Sequence, residues 1–557
     1  MNPTREIWIA LGLAAGAMVA LGFTRFAYAL LLPSMRSELD WSFTAAGGMN
    51  TANAIGYIAG AASAAWWGRR LGQRVAFVGG MAVSSVALLL SGATADYTAL
   101  AAVRLVGGVA TAVTFVLGSA LAARVHNGGN HRRSALLVSV YMAGVGLGII
   151  VSGVIVPTIL AHSGSSAWDA GWIVMGVVAV ALLAPATWAV RQVPDAPATR
   201  ADVARPPLRP LRALFVWYVL FGAGYVSYMT FVVAMLHDES FDTRQIATFF
   251  IVLGTASVIA TLMFWGRVIG HLRGGQAPTL ISVVVLAGVL PVLLADGPTM
   301  ALLSAVVFGS SFMAGPTAAT VLARRMLPPH GWTSGIAALT VAFSVGQGIG
   351  PLLAGALSDT NGGIALGLWL SVVLLGLAAF AAARQRDTLP EPEDVLIGES
   401  ERRALAAAEV SEADRPASNA PFSRILVAID GSPQRERVLA AAAELAAVAG
   451  SAVRVLHVDA EYAAYDTASD AETEAAAEDL VQRAVGELRA RGVNADGLVA
   501  HLADADIDDA ILSAAAKHES DLIVLGSERH RGVGSWFESS ITDPVIHRAA
   551  SAVLLVA

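Results

Sequence analysis

Residues 7–33 have the sequence IWIALGLAAGAMVALGFTRFAYALLLP, an apolar run in which Arg25 is the one charged residue. An α-helix rises 1.5 Å per residue, so about 20 apolar residues cross the ~30 Å hydrocarbon core of a bilayer. The run exceeds that length. It therefore predicts a transmembrane helix near the start of the chain.

The composition extends this prediction to most of the 557 residues. Hydrophobic residues make up 55% of the chain and charged residues only 14%, whereas soluble domains carry roughly 25% charged residues. These values exclude an ordinary soluble protein and also a disordered or fibrous one. The sequence has no cysteine, which excludes disulfides and thiolate metal sites.

Apolar stretches of membrane-spanning length recur along the first two thirds of the chain, separated by charged or Gly/Pro-rich breaks. They predict an all-α membrane protein with twelve transmembrane helices, near residues 7–33, 45–67, 75–94, 98–123, 135–160, 170–190, 213–236, 245–266, 276–296, 299–323, 332–358 and 362–384.

Charge divides the chain into two parts. Residues 1–386 contain 22 Arg and 12 Asp/Glu, whereas residues 387–557 contain 14 Arg/Lys and 31 Asp/Glu. In the first part, 18 arginines lie on one side of the predicted bundle, and only Arg36 and Arg244 lie on the other. Under the positive-inside rule the arginine-rich side is cytoplasmic. We expect a multi-pass protein of the cytoplasmic membrane with both termini in the cytoplasm.

The membrane part repeats itself at a spacing of about 200 residues. Residues 145–149 (VGLGI) return as residues 345–349 (VGQGI), and residues 67–69 (WGR) return as residues 265–267. A parallel repeat of this kind is typical of transporters whose halves rock around a site at mid-membrane. The repeat predicts two six-helix halves and a cytoplasmic loop between them, namely residues 1–190, 213–386 and 191–212.

The stretch Gly22–Pro33 (GFTRFAYALLLP) resembles the YbfB-like branch of the major facilitator superfamily. The pattern Arg104-x-x-x-Gly108 is similar to the superfamily's second signature, and the glycine-rich segment 144–153 is similar to its third. The resemblance covers residues 1–386. It implies a carrier that works by alternating access, and not an enzyme.

Two charged side chains, Arg25 and Arg104, lie well inside the predicted spans. A guanidinium in hydrocarbon costs at least ~2.5 kcal/mol, so each is a candidate for function. Because Arg binds a carboxylate through two charge-assisted hydrogen bonds, we predict that a small organic anion binds in the outward half of the bundle. The predicted substrate-binding residues are Arg25, Tyr28, Asn50, Asn53, Arg104, Ser227, Tyr228 and Gln347.

No Asp or Glu lies deep in any of the predicted spans. Proton- and sodium-coupled carriers commonly bind the ion with an intramembrane carboxylate. The sequence therefore favours anion exchange, facilitated movement, or entry of a proton with the substrate, so the carrier is secondary active or facilitative. Two alternatives stay open: proton-coupled efflux of drugs or metabolites, and a transporter-like receptor that signals through the C-terminal tail.

The chain changes character after the last span. Residues 387–421 are rich in Glu, Ala, Pro and Ser and predict a solvated linker. Strands and helices alternate over residues 422–557, which predicts an α/β domain with a doubly wound parallel sheet. The expected strands are 424–429, 453–458, 497–502, 521–525 and 552–556, and the expected helices are 434–449, 474–490, 507–517 and 541–549.

Residues 422–557 resemble a universal stress protein domain through ILVAIDGS at 425–432 and DLIVLGS at 521–527. In nucleotide-binding members, a Gly-x2-Gly-x9-Gly-Ser/Thr loop holds the phosphates. Here the spacing is kept, but Arg529 replaces the second Gly. The resemblance implies either an ATP or other adenine nucleotide site, or a nucleotide-free module for dimerisation or regulation. The candidate nucleotide-binding residues are Asp430, Gly431, Ser432, Gly526, Ser527, Arg529, Gly532, Gly534, Ser539 and Ser540.

The expected partners follow from these two parts. They are the lipid bilayer, a small-molecule substrate and a second copy of the chain that binds through the C-terminal domain. The sequence contains no Ser/His/Asp or metal-ligand constellation. We therefore expect no catalysis, no bound metal and no nucleic acid.

Overall fold

The computed structural model describes residues 3–126, 131–164, 166–193, 209–327, 332–385, 422–430, 434–461, 474–503, 507–526, 545–546 and 548–556. Contacts divide the chain near residue 387 into a membrane unit and a C-terminal unit. Each unit is described by itself.

The described part of the membrane unit consists of helices, some of them interrupted, which are numbered α1 to α12 in chain order. Their bounds are α1 (Pro3–Ala17, then a π-helix Met18–Phe26, then Ala27–Glu38), α2 (Phe43–Leu71), α3 (Gln73–Ser91), α4 (Tyr97–Ala123), α5 (His131–Ser163), α6 (Trp168–Gln192), α7 (Arg212–Asp238), α8 (Thr243–Met263 and Trp265–His271), α9 (Gln276–Val289 and Pro291–Leu294), α10 (Pro298–Ser311 and Ala314–Met326), α11 (Trp332–Ser358) and α12 (Gly363–Ala383).

Among the described residues, 11 of these helices are long and apolar enough to span a bilayer. The remaining helix, α2, contains the buried residues Asn50 and Asn53 and many small residues, which lower its mean hydropathy. Its 29 residues still extend about 43 Å, which exceeds the hydrocarbon thickness. The predicted all-α membrane fold is therefore confirmed, with α2 as its least apolar span.

Two predicted boundaries differ from the structure. The sequence analysis ended the first span at Pro33, but α1 continues to Glu38. A proline removes one hydrogen bond and crowds the carbonyl four residues back, which often ends a helix, but here the helix continues through Pro33. The central loop is shorter than predicted, because α6 reaches Gln192 and a 3-10 turn, Arg209–Leu211, leads into α7.

The two halves of the membrane unit pack alike internally. In the first half α1 meets α5 where Gly22 faces Gly148, and a Cβ at Gly22 would lie 2.6 Å from the Gly148 Cα. In the second half α7 meets α11 where Gly346 faces Val219, and a Cβ at Gly346 would lie 2.0 Å from the Val219 carbonyl oxygen. Small residues let both helix pairs approach backbone to backbone.

The contacts between the halves repeat the same symmetry. Helix α5 meets α8 at Gly146 and Gly254, where an added Cβ on Gly146 would lie 2.9 Å from the Gly254 carbonyl oxygen. Helix α11 meets α2 at Gly348 and Ala54, where an added Cβ would lie 3.4 Å from the Ala54 Cβ. The spacing of about 200 residues between equivalent positions confirms the predicted pair of six-helix repeats.

The C-terminal unit contains a five-stranded parallel sheet with strand order β3-β2-β1-β4-β5. Its elements are β1 (Arg424–Ile429), α13 (Arg435–Ala449), β2 (Ala452–Glu461), α14 (Glu474–Ala490), β3 (Asn494–Ala503), α15 (Ile507–Lys517), β4 (Leu522–Gly526) and β5 (Ala552–Val556). Buried aliphatic side chains form one core on each face of the sheet. The predicted doubly wound α/β domain is confirmed.

Strands β2 and β3 extend beyond their predicted ends, because they pair with each other from Ala452 opposite Asn494 to Glu461 opposite Ala503. That pairing includes polar residues, which a search for apolar runs leaves out. Most of the predicted helix 541–549 lies outside the described residues.

Candidate functional site

A cavity lies between the two halves of the membrane unit. Its lining comes from α1, α2 and α4 in the first half and from α7, α10 and α11 in the second. The lining residues are Leu21, Arg25, Phe26, Tyr57, Phe115, Tyr218, Tyr225, Met313, Pro316, Ala319, Thr320, Ile336, Leu339, Thr340, Phe343 and Gln347. Arg25 is the one charged residue in this set.

Arg25 lies near the end of the π-helical segment of α1 and is 6% exposed. Its guanidinium carbon lies 5.7 Å from the centre of the Tyr57 ring, within the range of a cation–π contact. Among the described residues, no hydrogen bond or ion pair reaches this guanidinium. Arg25 thus lines the cavity with no acceptor among the described residues.

The π-helix changes which side chains share the Arg25 face. The backbone N–H of Ala27 bonds to the Gly22 carbonyl, five residues back and not four. Isolated π segments often mark functional sites. Tyr28, three residues after Arg25, donates to the Ala46 carbonyl at 2.8 Å and stacks on Trp172.

Aromatic rings form the wall of the cavity in the second half. Phe343 stacks on Tyr218, with ring centroids 4.4 Å apart, and on Tyr225, with centroids 5.8 Å apart. Tyr225 also contacts Phe312, and Phe312 contacts Phe26 of the first half. The wall is aromatic and mostly apolar, which suits a flat apolar ring.

Gln347 adds one polar group to this wall. Its side chain is 1% exposed, and its amide nitrogen donates to the Tyr225 hydroxyl at 2.8 Å. The amide oxygen is buried and has no hydrogen-bond partner among the described residues. Gln347 is the predicted second-half site residue that lines the cavity.

Arg104 occupies a different environment from Arg25. It is 4% exposed, donates to the Thr24 carbonyl at 2.7 Å and to the Asn50 amide oxygen at 3.2 Å, and lies 4.6 Å from the Tyr28 ring centre. Asn53 donates to the Arg104 carbonyl at 3.2 Å. Arg104, Asn50, Asn53 and Tyr28 thus form a buried polar network beside the cavity, and none of them lines it.

The other predicted second-half residues also point away from the cavity lining. The Ser227 hydroxyl donates to the Ala223 carbonyl of its own helix at 2.7 Å. The Tyr228 hydroxyl bonds to Ser304, and the ring packs on Phe308 with centroids 4.4 Å apart. Of the eight predicted substrate-binding residues, the structure brings only Arg25 and Gln347 together in the cavity.

The halves are joined at the end where α1 turns into α2, here named the closed end. The Asp359 carboxylate, just past α11, accepts bonds from the backbone N–H groups of Phe43 (2.7 Å) and Thr44 (2.9 Å) and from the Thr44 hydroxyl (2.5 Å). Desolvation opposes the charged form, but bonds from Thr44, Phe43 and Ser42 outweigh it and hold the pKa of Asp359 below its ordinary value.

Two further bonds join the halves between the closed end and the cavity. Asn50 donates to the Thr230 hydroxyl at 2.7 Å, and Thr51 donates to the Gly348 carbonyl at 2.7 Å. The cavity lies on the other side of these bonds. Its lining residues Tyr218 and Ile336 lie near the first turns of α7 and α11, at the opposite end of the bundle. That end, which carries Arg69, Arg124 and Arg212, is here named the arginine-rich end.

A buried carboxylate lies at the arginine-rich end. Glu6 is 2% exposed and contacts His126 Nδ1 at 2.9 Å and Arg133 Nε at 3.1 Å. All three residues belong to the first half. The contact ties the start of α1 to His126, just past α4, and to the first turn of α5.

Sequence reasoning missed the aromatic residues of the cavity and the carboxylate at the closed end. Tyr218 and Tyr225 are seven residues apart, which places them on one face of α7. That spacing is the signal that could have identified them. Asp359 gives no such signal, because a carboxylate at the end of a span is ordinary and its partners lie 315 residues away.

In the C-terminal unit, Asp430 directly follows β1 and Gly526 ends β4. The two strands are neighbours in the sheet, and β1 is where the strand order reverses. Asp430 and Gly526 therefore lie at the expected switch point. The remaining candidate nucleotide-binding residues, Gly431, Ser432, Ser527, Arg529, Gly532, Gly534, Ser539 and Ser540, lie outside the described residues.

The fold and the cavity between the halves define a multi-pass membrane transporter and not an enzyme. Residues 17–383 match the family described as uncharacterised MFS-type transporter YbfB, and the chain belongs to that family. Residues 421–557 match the universal stress protein family. The fusion expected from the sequence is confirmed.

Curated relatives share the transporter part. A chloramphenicol resistance protein of Streptomyces lividans is 27% identical over 66% of this chain and 94% of its own length. A 3-(3-hydroxy-phenyl)propionate transporter of Escherichia coli (strain K12) is 26% identical over 68% of this chain and 91% of its own length.

Solved structures share the fold. A D-xylose–proton symporter is 16% identical, with a TM-score of 0.54, and the match covers 68% of this chain and 97% of that one. A bacterial homologue of the human lysosomal transporter Spinster is 15% identical, with a TM-score of 0.53, and covers 69% and 98%. At this identity the likeness concerns the architecture of the transporter part alone.

Proposed function

We propose that the protein carries a small organic anion, an aromatic carboxylate, across the cytoplasmic membrane by alternating access. The observation that carries the proposal is Arg25, a buried guanidinium that lines the cavity and has no acceptor among the described residues. Because Arg stays charged at any working pH, it cannot avoid the cost of burial by losing a proton. A substrate carboxylate supplies both the missing charge and two acceptors.

The aromatic wall supports the choice of an aromatic acid. A ring that packs against Phe343 and Tyr225 replaces water on two π faces, and each such contact adds about 0.5–1.5 kcal/mol beyond the area it buries. The relative named for an aromatic carboxylate, the 3-(3-hydroxy-phenyl)propionate transporter, supports the same substrate class.

The direction in which the cavity faces follows from the arginine bias. If the arginine-rich end is cytoplasmic, as the positive-inside rule favours, both termini are cytoplasmic and this conformation faces inward. The cavity then lies in the inward half of the bundle and not in the outward half where the sequence predicted the anion site. A reporter enzyme that is active only outside the cytoplasm, fused after Ala557, is then silent. Strong activity of that fusion would overturn the orientation.

Exchange in proteoliposomes tests the proposal without knowledge of the coupling ion. Vesicles loaded with unlabelled 3-phenylpropionate are expected to take up the labelled acid against its gradient. Arg25→Ala should abolish exchange, and Arg25→Lys should restore little of it because an ammonium lacks the planar fork. The matched control is Arg244→Ala, an exposed charge at the closed end, which should leave exchange intact.

Size-exclusion and thermal unfolding measurements check that each variant is folded. Exchange by folded Arg25→Ala with an unchanged half-saturation concentration would contradict the proposal.

A second candidate function is export of an uncharged drug. The mostly apolar cavity lining favours it, as does the relative described as a chloramphenicol resistance protein. An exporter of this kind would change the drug resistance of cells, respond to a pH gradient and bind its drug in Arg25→Ala as well as in the native protein. Those three results together would replace the anion proposal.

For the C-terminal domain we propose a regulatory or dimerising role, with an adenine nucleotide bound at the switch point between β1 and β4. Asp430 and Gly526 at adjacent strand ends support a ligand at that edge.

A further inference from the structure

We infer that Gln347 selects substrates that carry a hydrogen-bond donor, such as a phenolic hydroxyl, in addition to the carboxylate. The inference rests on the proposed anion transport and deepens it. Arg25 and Gln347 line the same cavity, Arg25 from the first half and Gln347 from the second. One bound molecule can therefore contact both.

The Gln347 amide oxygen is an acceptor that the surrounding protein leaves unused. Gln347 is 1% exposed, and this oxygen is buried with no hydrogen-bond partner among the described residues. Buried polar atoms in native proteins are nearly always paired, and an unpaired one destabilises the folded state. A side chain held in this way marks a place where a ligand completes the hydrogen bonding.

The orientation of the amide decides which ligand chemistry completes it. The Gln347 nitrogen is already used, because it donates to the Tyr225 hydroxyl at 2.8 Å. Tyr225 is itself fixed between Phe343 and Phe312. The group left over is an acceptor, so it pairs with a donor such as O–H and not with an ether or a second carboxylate.

The rest of the cavity places this donor on the substrate ring. Carboxylate binding by Arg25 leaves the ring to pack between the aromatic side chains, of which Phe343 and Tyr225 adjoin Gln347. A hydroxyl on the ring then reaches the amide oxygen. A site that expects a hydroxyl penalises the molecule that lacks it, because its own polar group stays unpaired.

Exchange kinetics with matched acids test the inference. The set comprises 3-phenylpropionate, its three hydroxyphenyl isomers and the methoxy analogue of the favoured isomer, which accepts a hydrogen bond but does not donate one. We expect one hydroxyphenyl isomer to be favoured over 3-phenylpropionate by about tenfold or more in the half-saturation constant. The methoxy analogue should show no such gain.

Gln347→Met keeps the length of the side chain but removes the amide. This variant should reduce the preference, measured as the ratio of the half-saturation constants for the two acids, to about twofold or less. The matched control is Ser344→Ala, one turn away on α11, whose hydroxyl bonds only to the Thr340 carbonyl of the same helix at 2.8 Å. It should keep the preference of the native protein.

The outcomes separate the two proposals. Exchange of all the acids with no preference for any hydroxyl, or an equal preference in Gln347→Met, overturns the role of Gln347 and leaves anion transport standing. Exchange of none of them overturns anion transport, and the inference about Gln347 falls with it.

Discussion

Arg104 donates a hydrogen bond to Asn50 inside the first half, at 3.2 Å, and Asn50 in turn donates to Thr230 of the second half at 2.7 Å. A buried cation of one half is thus connected to the other half through a single amide. A rocking carrier must break such a bond between its halves in each cycle. We therefore expect Arg104 to act in the conformational change and Arg25 to bind the substrate.

Arg104→Ala is expected to lower the transport rate more than the apparent affinity. The substitution leaves the Thr24 carbonyl and the Asn50 amide oxygen without their donor, and each unpaired buried group costs about 1–3 kcal/mol. The half-saturation constant should change less than the maximal rate, and the melting temperature should fall. A rise in the half-saturation constant at an unchanged maximal rate would instead place Arg104 at the substrate.

Gly22→Ala is expected to destabilise the first half. The new Cβ would lie 2.6 Å from the Gly148 Cα, a backbone atom that cannot rotate away. Overpacking of this kind costs about 1–3 kcal/mol and displaces the π-helix that carries Arg25. The melting temperature and the rate of exchange should both fall. The matched control is Gly79→Ala in α3, where nothing lies within 4 Å of the added atom.

Asp359→Ala is expected to favour conformations in which the two halves separate at the closed end. It removes the acceptor for Phe43 and for both Thr44 donors. Because the chain has no cysteine, spin labels at Glu38→Cys and Asp296→Cys report the distance across this end without further changes. The distribution should move to longer distances. Asp242→Ala, which removes a carboxylate that caps only its own helix, should not move it.

The same labels test the pH dependence of this contact. The pKa of Asp359 is depressed by its bonds to Thr44, Phe43 and Ser42, so their stabilisation is present above the ordinary carboxyl pKa and is lost as pH falls through the depressed value. The distance should stay constant from pH 7 to 5 and lengthen only in stronger acid. Opening between pH 7 and 5 would show that another group controls the contact.

Gly526→Asp is expected to abolish nucleotide binding by the C-terminal domain. The substitution places a negative side chain at the end of β4, where phosphates are proposed to lie. Calorimetry of the full chain with ATP measures the effect. The control is Gly486→Asp on α14, where no atom lies within 4 Å of the added Cβ. Absence of heat from the native protein at millimolar ATP would favour the dimerisation role, which sedimentation measures.

The sequence predicted the parts of this architecture that depend on local pattern. Three features can be recognised without knowledge of the tertiary contacts. They are the length of the spans, the repeat of residues 145–149 at 345–349, and the alternation of strands and helices. Arg25 stood out because a charge in an apolar run is conspicuous. The sequence also grouped Arg104 with Tyr28, Asn50 and Asn53, and the structure brings these four together. The Thr24 carbonyl and the Thr230 hydroxyl that complete their hydrogen bonds were not predicted, since contacts between helices supply them.

Tyr28 was predicted in the site but does not line the cavity. Face assignments from sequence assume 3.6 residues per turn, and the π-helix from Met18 to Phe26 departs from that spacing. The composition of that segment does not predict a π-helix. The π-helix lies where Gly22 contacts Gly148 of α5, and this contact can be seen only in the folded structure.

The bond between Asp359 and Thr44 also has a consequence for biosynthesis. The ribosome makes Thr44 315 residues before Asp359, which at 5–20 residues per second is an interval of roughly 15–60 s. Until then the start of α2 has only its local cap, the Ser42 hydroxyl bonded to Ala45 at 3.0 Å. Closure of this end therefore cannot precede the synthesis of α11, and the first half has to stay soluble in the membrane without this contact until then.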